Sequence, residues 1–328
     1  MGEAVAWSDG VDEVITGDLT VAAAYLTAAG GAVVTAVCPC GIRDREAGSV
    51  AFTTSLGFSK KLERIVRDPH VALAYHSRDH GFSVSPSFVL VQGQAEIDLT
   101  PSGKRLAAIT PLAIRHVGPP KQGRLWNRIL REYYIERVVV DLAVERVAWW
   151  PDLAAIGPVE TVGAPWPPPP APQAEPRHGT GPRVDMASEG RRVRGLPHRV
   201  LAYRGADGAA VVVPVRVDGH DHRGFRLGLP DALLPPGARR AGLLTHAYRP
   251  QMIGLRTRTF TGWLERDGEG TARYAPHTAV GFVAPPLKTA LLVTNGVMAK
   301  LGVARARRDG TADRLRALQA ARRGSWLD

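Results

Sequence analysis

Residues 49–94, SVAFTTSLGFSKKLERIVRDPHVALAYHSRDHGFSVSPSFVLVQGQ, constrain this chain more than any other stretch. Val50 to Thr53 is apolar and β-branched, which predicts a strand carrying the hydroxyls of Thr53, Thr54 and Ser55 to its C-terminal edge. Ser59 falls at a predicted helix start, where its hydroxyl is placed to cap the first turn. Unpaired N–H groups at that turn, with Lys60 and Lys61 beside them, describe an anion site suited to a phosphate. Asp68-Pro69 ends the helix. Val71 to Tyr75 and Phe88 to Val91 resume as strands, and Gly93 marks a bend or a close backbone approach. The order is therefore strand, cationic turn, short helix, strand, strand.

These parts resemble the pyridoxamine 5'-phosphate oxidase-like family, the flavin-binding split β-barrels that include deazaflavin-dependent reductases. The resemblance rests on Thr53-Thr54-Ser55, Ser59-Lys60-Lys61-Leu62, Asp68-Pro69-His70-Val71-Ala72 and Val89-Leu90-Val91-Gln92-Gly93. It implies that Thr53, Thr54, Ser55, Ser59, Lys60 and Lys61 hold a cofactor phosphate, in agreement with the electrostatic reading. Two departures narrow it. The family's Arg-x-His substrate motif is missing from the C-terminal tail, which argues against vitamin B6 oxidation. Phe88 stands where the family has a ring-contacting amide, which favours a deazaflavin over FMN.

With 328 residues the chain has room for two domains. In order, Asp18 to Ala29 reads as an N-terminal helix closed by Gly30-Gly31, and Ala32 to Val37 as the first strand. Ser102 to Ile114 reads as a helix, residues 115–131 as an exposed basic loop anchored by Trp126, and Ile135 to Trp150 as a long strand. Trp149 and Trp150 read as core or interface anchors. Between 157 and 185 the composition changes, with Trp166-Pro167-Pro168-Pro169-Pro170-Ala171-Pro172 at the centre, as in an extended semi-rigid linker. The expected division is residues 1–156, a linker over 157–185, and residues 186–328.

The pattern then returns in altered form. RRAGLLTH (239–246) parallels HVALAYH (70–76), and the stretch 256–265 parallels FVLVQGQAE, with Gly262 in the place of Gly93. Where the first copy has Ser59-Lys60-Lys61, the second has Leu229-Pro230-Asp231-Ala232-Leu233-Leu234-Pro235-Pro236, which supplies no cation for a phosphate. The expected fold class is mainly β with flanking helices (α+β), as two tandem split β-barrels forming an intramolecular pseudo-dimer. One site keeps its phosphate grip, and the second barrel offers His246, Arg249, Arg256 and Trp263 as wall residues. Lys288 to Leu301 is expected to pack as a helix on the second barrel, and Thr311 to Arg323 to form a solvated basic helix.

Together these readings point to an oxidoreductase moving hydride between FMN or a deazaflavin coenzyme and a small organic substrate. The alternative is a non-catalytic flavin- or haem-binding protein of the same fold, with His76 or His246 as the axial candidates for haem. No side chain is assigned catalysis. His76 and His80 read as residues at a pocket mouth.

The net charge of +11 favours anionic partners, but it comes from Arg spread along an Ala-, Gly- and Pro-rich chain with no base-reading motif, so no nucleic-acid partner is expected. The two cysteines, Cys38 and Cys40, are too few for a zinc site and too close in sequence to favour a disulfide, which suits a reducing compartment. No secretory signal or membrane span is read, so a cytoplasmic protein is expected, open to further homodimerisation.

Overall fold

The computed structural model describes residues 4–228, 233–266 and 271–324. Two antiparallel sheets carry the molecule. The first contains β1 (Val21–Leu26), β2 (Ala32–Val37), β3 (Arg43–Asp44), β4 (Ser49–Ser55), β5 (His70–Tyr75), β6 (Phe88–Asp98), β7 (Arg137–Trp150) and β8 (Glu160–Gly163). Its order is β2-β1-β5-β6-β7-β4-β3, with β8 added beside β7. The second contains β9 (His198–Arg204), β10 (Ala210–Pro214), β11 (Arg216–Asp221), β12 (Gly224–Gly228), β13 (Gly237–Ala247), β14 (Arg256–Arg266) and β15 (Thr271–Val283). Its order, β10-β9-β13-β14-β15-β12-β11, is the first order repeated element for element.

The register makes the repeat exact to the residue. In the first sheet the β6–β7 pairing slips between Gln92 and Gly93. In the second, β14–β15 slips between Thr261 and Gly262. A Cβ on Gly93 would sit on the Ala143 carbonyl oxygen, and one on Gly262 on that of Ala275. Each glycine thus sits at a β-bulge where a neighbouring backbone takes the side-chain space. Across the ladder Gly93 faces Val71, and Gly262 faces Ala241.

The sheets pack on each other through small residues. Ala22, Ala24, Ala72 and Ala74 of the first join Val200, Leu201, Ala202, Leu243 and Leu244 of the second in one buried cluster. A second cluster fills the first barrel alone, around Phe52, Leu62, Ile65, Leu73, Tyr75, Val91 and Val140. This arrangement explains why the helix expected over 18–29 is strand β1. Its alanine-rich VAAAYL is buried on both faces between β2 and β5, where side chains must be small for the sheets to approach, and that demand overrides alanine's helix preference. The N-terminal helix is instead α1 (Asp9–Gly17), capped by the Ser8 side chain.

Around the sheets lie α2 (Ser59–Arg67), α3 (Gly103–Val117), α4 (Arg124–Tyr134), α5 (Met186–Arg194), α6 (Lys288–Arg308) and α7 (Thr311–Gly324). The basic loop expected over 115–131 is largely α4, with Trp126 half-buried on it. Between β8 and α5 the proline-rich segment runs without strand or helix. Gln173 pins it to both halves: its side-chain amide donates to the Gly30 carbonyl at 2.9 Å, and its backbone N–H donates to the Ala238 carbonyl at 2.8 Å.

The C-terminal helices return to the first barrel. Helix α6 lies on α4 and β4, with Gly296 against the Ile129 carbonyl oxygen and Gly302 against the backbone of Gly57. Helix α7 lies along α2. Leu315 is fully buried in the first barrel's core, and Arg314 pairs with Glu63 at 2.8 Å. Both expected placements are corrected by these contacts: glycines at 296 and 302 let α6 settle on the first half, and Leu315 docks α7 rather than leaving it solvated.

Candidate functional site

Strand β4 ends where the hydroxyl run predicted. Thr53 and Ser55 are half-buried and Thr54 is buried. The chain then turns through Leu56, Gly57 and Phe58 into α2. Phe58, not Ser59, occupies the cap position, and no side chain caps the helix. Ser59 is the first helical residue, so its expected capping role is corrected: the backbone of Phe58 already sits one residue ahead of it. The uncapped first turn leaves the amide end of α2 open to an anion.

The two lysines separate. Lys60 points to solvent, whereas Lys61 turns inward over the rings of Phe52 and Phe58, its ammonium 5.6 and 5.1 Å from their centroids. Burial pushes the Lys61 pKa down to about 8, and the nearby positive charge of Arg137 adds to the fall. Among the described residues no carboxylate lies within ion-pair distance of Lys61. Arg137, at the start of β7 and directly across from Ser55, donates to the Thr53 hydroxyl at 2.6 Å and stacks over Tyr133 at 5.2 Å. Thr53, Lys61 and Arg137 therefore form a cationic cluster beside a free helix N-terminus. Arg137 escaped the sequence reading because strand pairing alone brings it there.

The register carries these positions into the second half. Thr53 pairs with Val139, and the matching pair on β12 and β15 is Gly228 with Thr271. Glycine thus stands where Thr53 offers its hydroxyl. Leu229 to Ala232, the first half of the segment read as lacking a phosphate grip, lie outside the described residues.

The wall residues proposed from sequence do not come together. Arg249 and Arg256 are exposed, the latter donating to the Gly195 carbonyl at 3.1 Å. Trp263 is buried, its indole N–H bonded to Glu265 at 2.9 Å. Trp150 is core as expected, edge-on to Phe88 and Trp166 at 5.5 and 5.4 Å. His80 is exposed.

His246 and His76 instead meet between the halves, each reached by counting equally along its strand from the residue opposite the bulge glycine. Their Nε2 atoms are 2.7 Å apart, and both side chains are buried. His76 Nδ1 lies 3.0 Å from the Ala74 carbonyl, which can only accept, so Nδ1 carries the His76 proton. Neutral His76 then accepts at Nε2 from the Nε2–H of His246. That assignment leaves His246 Nδ1 as a buried lone pair, and it has no partner among the described residues. Tyr248 stacks on the His246 ring at 5.6 Å and shares a hydrogen bond with Ser77 at 2.8 Å; His198 lies 3.1 Å from Asp79. Burial drives the His76 pKa down to about 4 and that of His246 well below the ordinary range.

The strand order and the matched bulges decide the architecture. The fold is two split β-barrels of one strand order, packed on each other within a single chain. No family model and no curated protein matches the sequence. Solved structures similar to this chain include a conserved hypothetical protein of Mycobacterium tuberculosis, 20% identical over 48% of this chain and 92% of that one, with a TM-score of 0.35. A heme binding protein from Mycobacterium smegmatis is 14% identical over 90% of this chain and 99% of that one, with a TM-score of 0.33. A pyridoxamine 5'-phosphate oxidase-related, FMN binding protein from Nostoc punctiforme is 10% identical, covering 60% and 87% of the respective chains with a TM-score of 0.28. No described helix of the split barrel is long and apolar enough to cross a membrane.

Proposed function

We propose that the chain holds one FMN or deazaflavin coenzyme by its phosphate and serves as an oxidoreductase for a small organic substrate. The observation that carries this reading is the cluster of two cations, Lys61 and Arg137, with no described carboxylate to neutralise Lys61. Two like charges brought together at a partly buried position repel, and a phosphate relieves that repulsion. Thr53 adds a hydroxyl and the start of α2 adds free N–H groups, so the donors suit a phosphate monoester or diester. The bound coenzyme supplies the hydride chemistry. The chain's own share is to fix the phosphate and so orient the coenzyme at the turn, against which α6 packs where Gly302 meets Gly57. Glycine at 228 supports a single such site per chain.

The haem alternative finds less support, because His76 has both ring nitrogens in hydrogen bonds and His246 is fully buried and stacked on Tyr248.

Titration with FMN and with a deazaflavin coenzyme, followed by absorbance and fluorescence, tests the proposal. One equivalent is expected to bind. Lys61→Ala and Arg137→Ala are each expected to weaken binding by about tenfold or more, the worth of one charge-assisted hydrogen bond. Lys60→Ala, at an exposed position, serves as the control. Binding that is absent, or equally strong in all three variants, overturns the reading. Tight binding with no turnover across a panel of reducible substrates would leave the coenzyme site standing and remove the enzyme.

A further inference from the structure

The segment Val37-Cys38-Pro39-Cys40-Gly41 is absorbed by none of the roles above. It joins β2 to β3 through a turn in which the Ile42 N–H donates to the Pro39 carbonyl at 3.2 Å. Both central residues, Cys40 at φ 54° and Gly41 at φ 65°, are in the left-handed region. A side-chain-bearing residue enters that region at a cost, so Cys40 is held there by its surroundings. The turn folds Cys40 back on its neighbour: the two sulfurs lie 3.6 Å apart, and both thiols are free. The spacing that looked poor for a disulfide in the sequence has become a short approach.

The surroundings are cationic. Arg137 acts on both sulfurs. Arg43 and Arg115 line, with Cys40, Gly41, Thr16, Leu112 and His116, a cavity of about 110 Å3. Arg43 is held by Asp12 at 2.8 Å, and Arg115 stacks over Phe82 at 4.4 Å. Cys40 is 6% exposed, so the cavity is its approach, and a volume of that order takes a molecule of a few atoms rather than a peptide-sized disulfide. A hydrogen bond from Cys38 holds the Cys40 thiol below its usual range, aided by Arg137 and opposed by burial. The same contact, with burial, pushes Cys38 up. Of the two residues, Cys40 lines the cavity and the Cys38 sulfur lies 3.6 Å from that of Cys40, which gives attack to the first and resolution to the second.

We propose that Cys38 and Cys40 are a peroxide-reactive dithiol, with Cys40 the sulfur that is oxidised first and Cys38 the one that resolves it. The Cys40 thiolate attacks one oxygen of hydrogen peroxide, the O–O bond breaks, and the departing hydroxide takes a proton to leave as water. Cys40 is then a sulfenic acid. The Cys38 sulfur attacks the Cys40 sulfur, its proton goes to the hydroxide displaced from Cys40, and a second water leaves as the S–S bond forms. Peroxide has gained the two electrons that the thiols have lost. The role needs no coenzyme for its chemistry, although it shares Arg137 with the proposed phosphate site.

Because the chain has no other cysteine, the test reads cleanly. The full-length protein is treated with hydrogen peroxide at neutral pH, thiol loss is timed against free cysteine, and the product is weighed. Loss of both thiols at least about tenfold faster than free cysteine, to one intramolecular disulfide restored by dithiothreitol, is the expected result. In Cys38→Ser a sulfenic acid trapped by dimedone should accumulate at Cys40, and in Cys40→Ser the remaining thiol should react no faster than free cysteine. Thiol loss in the unmodified protein at or below the rate of free cysteine overturns the proposal, whether or not either variant folds. So does an intermolecular product, or a first adduct on Cys38.

Discussion

The two halves share a strand order, a bulge glycine and a histidine at the same distance from it, yet the cluster of Thr53, Lys61 and Arg137 beside a helix start has no counterpart among the described residues of the second. What the halves have in common is what lets two barrels form and pack: Gly93 and Gly262 within each sheet, His76 and His246 between them. What differs is at the end of β4, where Thr53 is answered by Gly228, and in the helical cover, since α6 and α7 both serve the first half. The architecture is thus written twice along the chain, while the cationic cluster is written once.

Substitution can break that comparison. The largest effect is expected from Gly93→Ala or Gly262→Ala, because either Cβ would fall on a backbone carbonyl with no flexible side chain to yield. Each should cost about 4 kcal/mol or more and be seen as lost soluble yield or a lowered urea midpoint. A mild effect at 262 beside a severe one at 93 would show that the second copy tolerates what the first does not. Next comes Leu315→Ala, which empties a position in the first barrel's core and should cost about 2–5 kcal/mol in urea unfolding. A value near zero would undo the docking of α7.

Smaller again is the pH dependence of the histidine pair. Both rings stay neutral in the folded chain at pH values where unfolded histidine, with its ordinary pKa of about 6.5, takes a proton. Stability is therefore complete above that value and declines as pH falls from about 6.5 toward 4, by up to about 1.4 kcal/mol per pH unit for each histidine. His198, Asp79, Tyr248 and Arg78 also face this cluster, so the comparison is made against His76→Gln/His246→Gln, which should flatten most of the slope in urea titrations. The smallest effect expected is on coenzyme affinity. If Lys61 holds the coenzyme phosphate as proposed, it does so in its charged form, so affinity should hold below pH 8 and weaken above it, by up to about tenfold per pH unit. An affinity flat from pH 7 to 9.5 would remove Lys61 from the site.

Much of the architecture was legible in the sequence because it is written locally. The DPHVALAY and FVLVQGQ runs, and the glycine that repeats at 262, have the spacing of the strands they become. Strand β1 was not legible, since VAAAYL carries a helix former's residues and only the opposite sheet requires them small. Residues 288–301 were rightly read as helical, but which barrel they cover depends on Gly296 and Gly302 meeting Ile129 and Gly57, contacts with no local trace. At the candidate site the hydroxyl run and the lysines were visible. The division of labour between an exposed Lys60 and an inward Lys61 was not, nor was Arg137, because each depends on the turn's direction or on strand pairing.

The contact between His76 and His246 carries a last consequence. Two identical subunits related by a twofold axis present each ring with the same surroundings, yet a single proton between two nitrogens must belong to one of them. Such an assembly cannot say which. Here the two rings belong to one chain, and the Ala74 carbonyl settles the matter by holding the other proton of His76. Covalent fusion gives this molecule a left and a right, and the imidazole pair at its centre is where that handedness is spelled in a single hydrogen.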